Sequence, residues 1–242
     1  MKGKTTKGNL VDRKSKLTVG FFYLVNKLVS RWRFKNIHIE HAENIPRNGS
    51  FLLIANHTSR WDGPILMETI GRAANWMVSP NELLGLQGLL LRSVGAFPAD
   101  RRFELLTYVA QQINKGEPIV IFPEGNIFRD GTTHPFKSGA ARILLMCKEM
   151  GIDLPVVSVC VNYLNENSVQ ISVAEAVHFR VSEELGPHER VRDLTDRMYT
   201  KLNGERLEFE AAVRSLQVKP AVSYAGTAEM SFEPENREEI AS

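Results

Sequence analysis

His57 and Asp62 stand five positions apart in the segment Asn56-His57-Thr58-Ser59-Arg60-Trp61-Asp62, directly after the apolar run Phe51–Ala55. A carboxylate that accepts from one imidazole nitrogen fixes the tautomer and leaves the other nitrogen available as a base. If a turn follows His57 and a helix begins near Asp62, the carboxylate reaches back to the ring. A histidine titrating near its usual value of about 6.5 can take the proton of an alcohol at neutral pH. A surface histidine followed by an Asp that caps the next helix gives the same spacing, so the spacing alone does not decide. Ser59 is a second candidate, as a nucleophile, but it lacks the Gly-x-Ser-x-Gly setting of a nucleophile elbow.

Two further polar clusters follow apolar runs. Gly95-Ala96-Phe97-Pro98-Ala99-Asp100-Arg101-Arg102 comes after Val94, and Pro123-Glu124-Gly125-Asn126-Ile127-Phe128-Arg129-Asp130-Gly131 comes after Pro118–Phe122. In open parallel sheets, reacting groups gather just beyond the carboxyl ends of strands, and three such segments in one chain point to a shared site. Gly125 allows backbone to approach a phosphate, and Arg101, Arg102, Arg129 and Lys137 can bring charge to it. No Gly-x4-Gly-Lys-Ser/Thr motif is present, which leaves nucleotide hydrolysis unsupported. No His or Cys spacing suits a metal, and His134 reads as a loop histidine. Cys147 and Cys160 lie in apolar runs and are expected to be buried thiols of a reducing compartment.

The elements that must carry these clusters alternate. Short apolar runs at 37–45, 51–55, 76–78, 94–97, 118–122, 155–161 and 169–177 have strand length. Between them, 64–72, 101–114 and 137–150 have helical spacing, with Gly116 and Gly151 as stop signals. Pro80 is expected to open an apolar helix over 83–91, either buried in the core or a membrane-dipping patch, with burial the favoured reading. Residues 188–216 form a closing polar helix. Alternation of this kind implies a single α/β domain whose mainly parallel central sheet is flanked by helices on both faces. The organisation expected is a basic N-terminal segment with an amphipathic helix over 1–35, the α/β domain over 36–216, and a disordered acidic tail over 217–242.

Ordinary apolar and charged fractions exclude a disordered chain or a disulfide scaffold. The net charge of +2 conceals an uneven distribution. Residues 1–36 carry ten basic side chains against Asp12 alone, a net +9, while 228–242 carry five Glu against Arg237, a net −4. A basic head suits a phosphate-bearing partner, either a lipid surface or a nucleic acid. Phe21, Phe22 and Tyr23 are interleaved with its charges, yet no nucleic-acid-binding module accompanies them, so no nucleic-acid partner is expected. The apolar stretch Val19–Val25 is far shorter than the about 20 residues of a membrane span. Leu17, Phe21, Leu24, Val25 and Leu28 fall on one helical stripe between basic flanks. That pattern suits a helix lying in the lipid headgroup layer and equally one packed on the core.

Taken together, the clusters resemble the glycerolipid acyltransferases of the 1-acylglycerol-3-phosphate acyltransferase family. Asn56–Asp62 is similar to that family's first block, Asn-His-x-Ser-x-x-Asp. Gly95–Arg101 is similar to the second, which ends in Asp-Arg, and Phe122-Pro123-Glu124-Gly125 to the third. Phe136-Lys137-Ser138-Gly139-Ala140 resembles the family's Phe-Lys-x-Gly-Ala segment, and Leu154-Pro155-Val156-Val157 its fourth block, all in the family's order. The chain departs from the pattern twice. Asn126 and Ile127 stand where the third block continues Thr-Arg, leaving Arg129 as the nearest arginine, and Ser158 replaces a second proline of the fourth block.

The resemblance implies direct transfer of an acyl group from an acyl thioester, on coenzyme A or acyl carrier protein, to a lysophospholipid hydroxyl. The implied acceptor is 1-acylglycerol-3-phosphate and the product phosphatidic acid. His57 is then the base and Asp62 its orienting partner. Arg101, Glu124 and Gly125, with Arg129 and Lys137 beside them, would form the acceptor site. No metal or cofactor is implied. The implied location is peripheral, at the cytoplasmic face of a membrane. The competing reading is a non-catalytic lipid-surface binding or scaffolding protein on the same fold.

Overall fold

Continuous apolar runs become the strands. The computed structural model describes residues 8–100 and 102–217. Its strands are β1 (Asn36–Glu40), β2 (Leu52–Ala55), β3 (Asn75–Val78), β4 (Ala96–Pro98), β5 (Ile119–Ile121), β6 (Val156–Asn165) and β7 (Ser168–Val173). The helices are α1 (Lys16–Arg33), α2 (Asp62–Ile70), α3 (Gly85–Ser93), α4 (Leu105–Asn114), α5 (Gly139–Glu149) and α6 (Pro187–Gln217). All four residues of β2 and all three of β5 are buried, as expected of strands covered on both faces.

One sheet holds the strands in the order β1-β7-β6-β2-β5-β3-β4. β6, β2, β5, β3 and β4 are mutually parallel, while β7 returns antiparallel to β6 and β1 lies parallel to β7. The fold is thus a single α/β domain with a mostly parallel sheet. Alternate strand residues feed two cores. Leu52, Ile54, Ile119 and Ile121 meet α4, α5 and α6 on one face, and Leu53, Val120, Val157 and Val159 meet α2, with Leu83 just before α3 and Leu91 within it, on the other. The loop leaving β2 leads to α2 on the second face. The loop leaving its neighbour β5 leads to α5 on the first. Chains that part in opposite directions from adjacent strands open a crevice between them.

The boundaries move where geometry overrides pattern. The run at 37–45 is a strand only to Glu40, because His41 takes a left-handed conformation (φ 58°) and starts a 3-10 turn over Ala42–Asn44. Leu84 breaks the stretch after Pro80 into a 3-10 turn, Pro80–Leu83, and then α3. Gln217 is the last residue of α6, not part of a tail. The remaining acidic tail, 218–242, lies outside the described residues.

The expectation that 83–91 is buried is overturned. Leu83 and Gly88 face inward, but Leu84, Leu86, Leu89 and Leu90 are exposed, Leu86 at 73%. The sheet ends at β4, an edge strand of three residues, which offers too little surface to cover a whole helix. Gly88 lies hard against the Leu83 backbone, where no side chain fits. The stripe on α1 also faces outward. Leu17, Phe21, Leu24, Leu28 and Trp32 are exposed, while Asn26 anchors the opposite side by donating to the Pro64 carbonyl of α2 (2.7 Å). No helix among the described residues is long and apolar enough to cross a membrane.

α1 is fastened at both ends. Ser15 caps it, accepting from the Thr18 N–H (3.0 Å). The Lys14 ammonium, its side chain only 6% exposed, enters the amino-terminal edge of the sheet. There it meets Asn75 Oδ1 (2.5 Å), Asp12 (2.9 Å) and Glu117 (3.0 Å). At the other end Phe34 is buried and stacks edge-on with Trp61 (5.6 Å). Lys14→Met should lower the unfolding free energy by about 1–3 kcal/mol, since Glu117 and Asn75 lose a donor that water only partly replaces. Urea melts would show this as a lower midpoint at constant slope.

Candidate active site

Asn56, the first residue beyond β2, is 3% exposed and clamps β6 at two points. Its amide donates to the Val161 carbonyl (2.9 Å) and its oxygen accepts from the Val161 N–H (2.8 Å). The chain then turns, and α2 begins at Asp62. As the sequence requires, the carboxylate reaches back. Asp62 Oδ2 lies 2.8 Å from His57 Nδ1 and accepts from the backbone N–H groups of Thr58 (2.8 Å) and Ser59 (2.9 Å). Asp62 Oδ1 accepts from the Tyr163 hydroxyl on β6 (2.7 Å). The Asp62 side chain has no exposed surface, whereas that of His57 is 20% exposed. A carboxylate can only accept, so Nδ1 carries the ring proton and Nε2 presents a lone pair. The ring is stacked on Phe122 (centroids 4.1 Å, 17°), which fixes its plane. Ser59 is occupied locally, its Oγ accepting from the Trp61 N–H (3.2 Å).

The segment leaving β5 forms the other wall. Glu124, 4% exposed, accepts from the His57 N–H at Oε1 (3.1 Å) and from the His134 N–H at Oε2 (3.0 Å). Burial pushes its carboxyl above the usual range, and the two backbone donors partly oppose that. The Phe128 N–H donates to the His57 carbonyl (2.8 Å), so the 125–134 segment is laced to the His57 loop through both the N–H and the carbonyl of His57. Gly125 turns at φ +72°, and a Cβ there would collide with the Lys137 side chain. Lys137 donates its ammonium to the Gly125 carbonyl (3.3 Å) and its backbone N–H to the Pro123 carbonyl (2.8 Å). α6 braces the loop from behind, with Arg206 Nη1 donating to the Gly131 carbonyl (2.6 Å).

The structure therefore brings His57, Asp62, Glu124, Gly125 and Lys137 together at the crevice between β2 and β5. Arg129 is exposed and makes no hydrogen bond or ion pair among the described residues. Arg101 lies outside the described residues. Two groups escaped the sequence reading. Tyr163 gives no local signal, being 101 positions from Asp62 and brought to it only by β6. His134 is more than a loop residue. Its ring stacks on Phe128 (3.6 Å) and sits 2.7 Å from Asp130, whose carboxyl is pulled down to about 2, chiefly by that hydrogen bond. Both cysteines are buried, and burial pushes the Cys147 thiol up to about 11 and Cys160 to about 12.

The Acyltransferase family model matches residues 36–162, just over half of the chain and the whole of the segment from β1 through the dyad to β6. The chain belongs to the acyltransferase family. Among solved structures it is similar to PlsC, the 1-acyl-sn-glycerophosphate (LPA) acyltransferase from Thermotoga maritima. The match covers 84% of this chain and 81% of that one, at 18% identity and a TM-score of 0.58. At that identity the likeness shows a shared fold. No curated protein matches by sequence.

Glu124→Gln in this acyltransferase should strand one of the two backbone N–H donors, because an amide offers one acceptor oxygen in place of two. The expected cost is about 1–3 kcal/mol of stability. A raised carboxyl loses stabilisation as pH climbs from about 4.5 through its folded value. The amide has no such titration, so thermal melts at about pH 4 and about pH 7.5 should show the wild type's advantage over the variant narrowing at the higher pH.

Proposed function

We propose that this acyltransferase moves a fatty acyl group from a thioester, on coenzyme A or acyl carrier protein, to the free hydroxyl of 1-acylglycerol-3-phosphate, forming phosphatidic acid. The observation that carries this reading is the His57–Asp62 contact, with Nδ1 spent on a fully buried carboxylate and Nε2 left as a base in the crevice. PlsC of Thermotoga maritima, which shares the fold, is a 1-acyl-sn-glycerophosphate acyltransferase.

The step balances without an acyl-enzyme. His57 Nε2 takes the acceptor's hydroxyl proton as the oxygen attacks the thioester carbonyl. The C–O bond forms, the tetrahedral intermediate collapses, and the C–S bond breaks. The departing sulfur takes the proton back from the imidazolium. Arg101, Glu124 and Gly125 are the proposed acceptor site, with Lys137 and Arg129 adding positive charge on the same loop. Ile127 puts an apolar side chain where the resembled family carries arginine, so phosphate recognition here leans on those other cations.

The proposed workplace is the cytoplasmic face of a membrane, with the protein peripheral. The exposed stripes of α1 and α3 lie on the same face of the sheet. No acid stands in the first turn of either helix, and Arg31, Arg33 and Arg92 stand in their last turns. Apolar residues over a basic rim suit insertion into an anionic lipid surface.

His57→Ala should lose about two to four decades of rate in a protein that is still folded at the assay temperature. The measurement is a panel of lysolipid acceptors offered both thioesters, read by mass spectrometry of the product lipid. An unimpaired variant would falsify the base assignment. Replacing Leu86, Leu89 and Leu90 together by Ser should weaken co-sedimentation with anionic phospholipid vesicles at least about tenfold. Turnover of a soluble short-chain acceptor should stay at the wild-type rate, and unaltered sedimentation would remove α3 from the lipid-facing surface.

A further inference from the structure

We propose that Tyr163 is a positioning residue for acyl transfer. It ties the Asp62 carboxylate to the central sheet so that the catalytic loop and its imidazole hold one orientation. The proposal rests on the reading of His57 as the base.

The argument is one of where the hydrogen bonds originate. The three donors to Asp62 Oδ2 are His57 Nδ1 and the N–H groups of Thr58 and Ser59. All belong to the loop that carries His57. None of these three bonds holds the carboxylate to the rest of the fold; the anchors from the β5 side, Glu124, Phe128 and the stacked Phe122, act on His57 and not on Asp62. Asp62 Oδ1 has one partner among the described residues, and it comes from elsewhere. The Tyr163 hydroxyl, 2.7 Å away, projects from β6. That strand pairs with β2 over Val156–Val159 and continues along β7 past Tyr163, which stands opposite Val169, so its backbone is held by the sheet and not by the loop. Two residues earlier on β6, Val161 holds Asn56. The catalytic loop is thus fastened to one strand before His57 and after it.

The phenol suits the task. Its burial, and then the adjacent Asp62 charge, push its pKa far above the ordinary tyrosine value. The phenol keeps its proton at any working pH and donates it to the carboxylate. The ring is wedged against Phe34 (5.8 Å), which itself stacks on Trp61 (5.6 Å). Phe34 closes α1. The hydroxyl is therefore placed by the junction between the amphipathic helix and the catalytic loop, and the far end of α1 bears on the group that aims the base.

Tyr163→Phe keeps the ring in its wedge and deletes only the donor. In the full-length protein, assayed well below its melting temperature, kcat is expected to fall about tenfold, with KM for thioester and acceptor within about twofold of wild type; the melting temperature falls as well, because the buried Asp62 Oδ1 loses its donor. In an Asp62→Asn background, adding Tyr163→Phe is expected to cost nothing further, since the two act through one carboxylate. A second readout is independent of turnover. The downfield proton resonance of His57 Nδ1–H, assigned by its loss in His57→Gln, is expected to shift or broaden in Tyr163→Phe. A variant with wild-type kcat and an unmoved resonance would overturn the proposal, as would a loss confined to KM or one fully additive with Asp62→Asn. A resonance that moves while neither protein transfers acyl groups would uphold the tether and refute the catalytic reading instead.

Discussion

A carboxylate with no exposed surface survives in a folded chain only if its oxygens are met by donors. Asp62 sets that condition at the amino end of α2, and much of the local architecture answers it. Two backbone N–H groups must turn inward at Thr58 and Ser59, which forces the chain between β2 and α2 into one tight path. His57 must bring Nδ1 to the same oxygen, which turns Nε2 outward. A fourth donor must come from the neighbouring strand. The dyad is the consequence of dissolving one charge in the core, and its geometry is only as variable as those four bonds allow.

The sheet's winding decides where this charge can sit. β2 and β5 are neighbours, but their outgoing loops cross to opposite faces, so the space between their carboxyl ends is not filled by either loop. Glu124 spans that space from the β5 side, tying His57 to His134. The result is a crevice whose two walls are stitched together along the backbone while the His57 ring stays partly exposed at its mouth. A fully parallel winding to one face would have covered it.

Local chemistry was legible in the sequence because local bonds create it. The His57–Asp62 spacing, the Gly125 turn and the alternation of strand and helix all act over a few residues. What escaped was set by distance or by shape. Tyr163 is a lone tyrosine at the end of an apolar run until β6 is laid beside β2. His134 becomes part of the site only because Glu124 accepts from its backbone. The burial expected of the Leu-rich 83–91 segment failed because composition does not say how wide the sheet is. β4 is three residues long, and the inward position of α3 is Gly88, pressed against the Leu83 backbone with no side chain to bury.

That failure links the two halves of the molecule. α4, α5 and α6 cover one sheet face with apolar contacts facing in. On the other face α2 alone is packed in that ordinary way, while α1 and α3 each turn apolar residues outward. An apolar surface of this kind is costly in water, and it is confined to one face of the sheet. α1 combines an outward apolar stripe with two anchored ends. Lys14, buried among Asp12, Asn75 and Glu117, holds one end to the base of the sheet. Phe34, wedged between Trp61 and Tyr163, holds the other against the catalytic loop. A helix pinned at both ends keeps its outer apolar face at a fixed place relative to His57 and Asp62, because the same residues that end the helix pack on the loop that carries them.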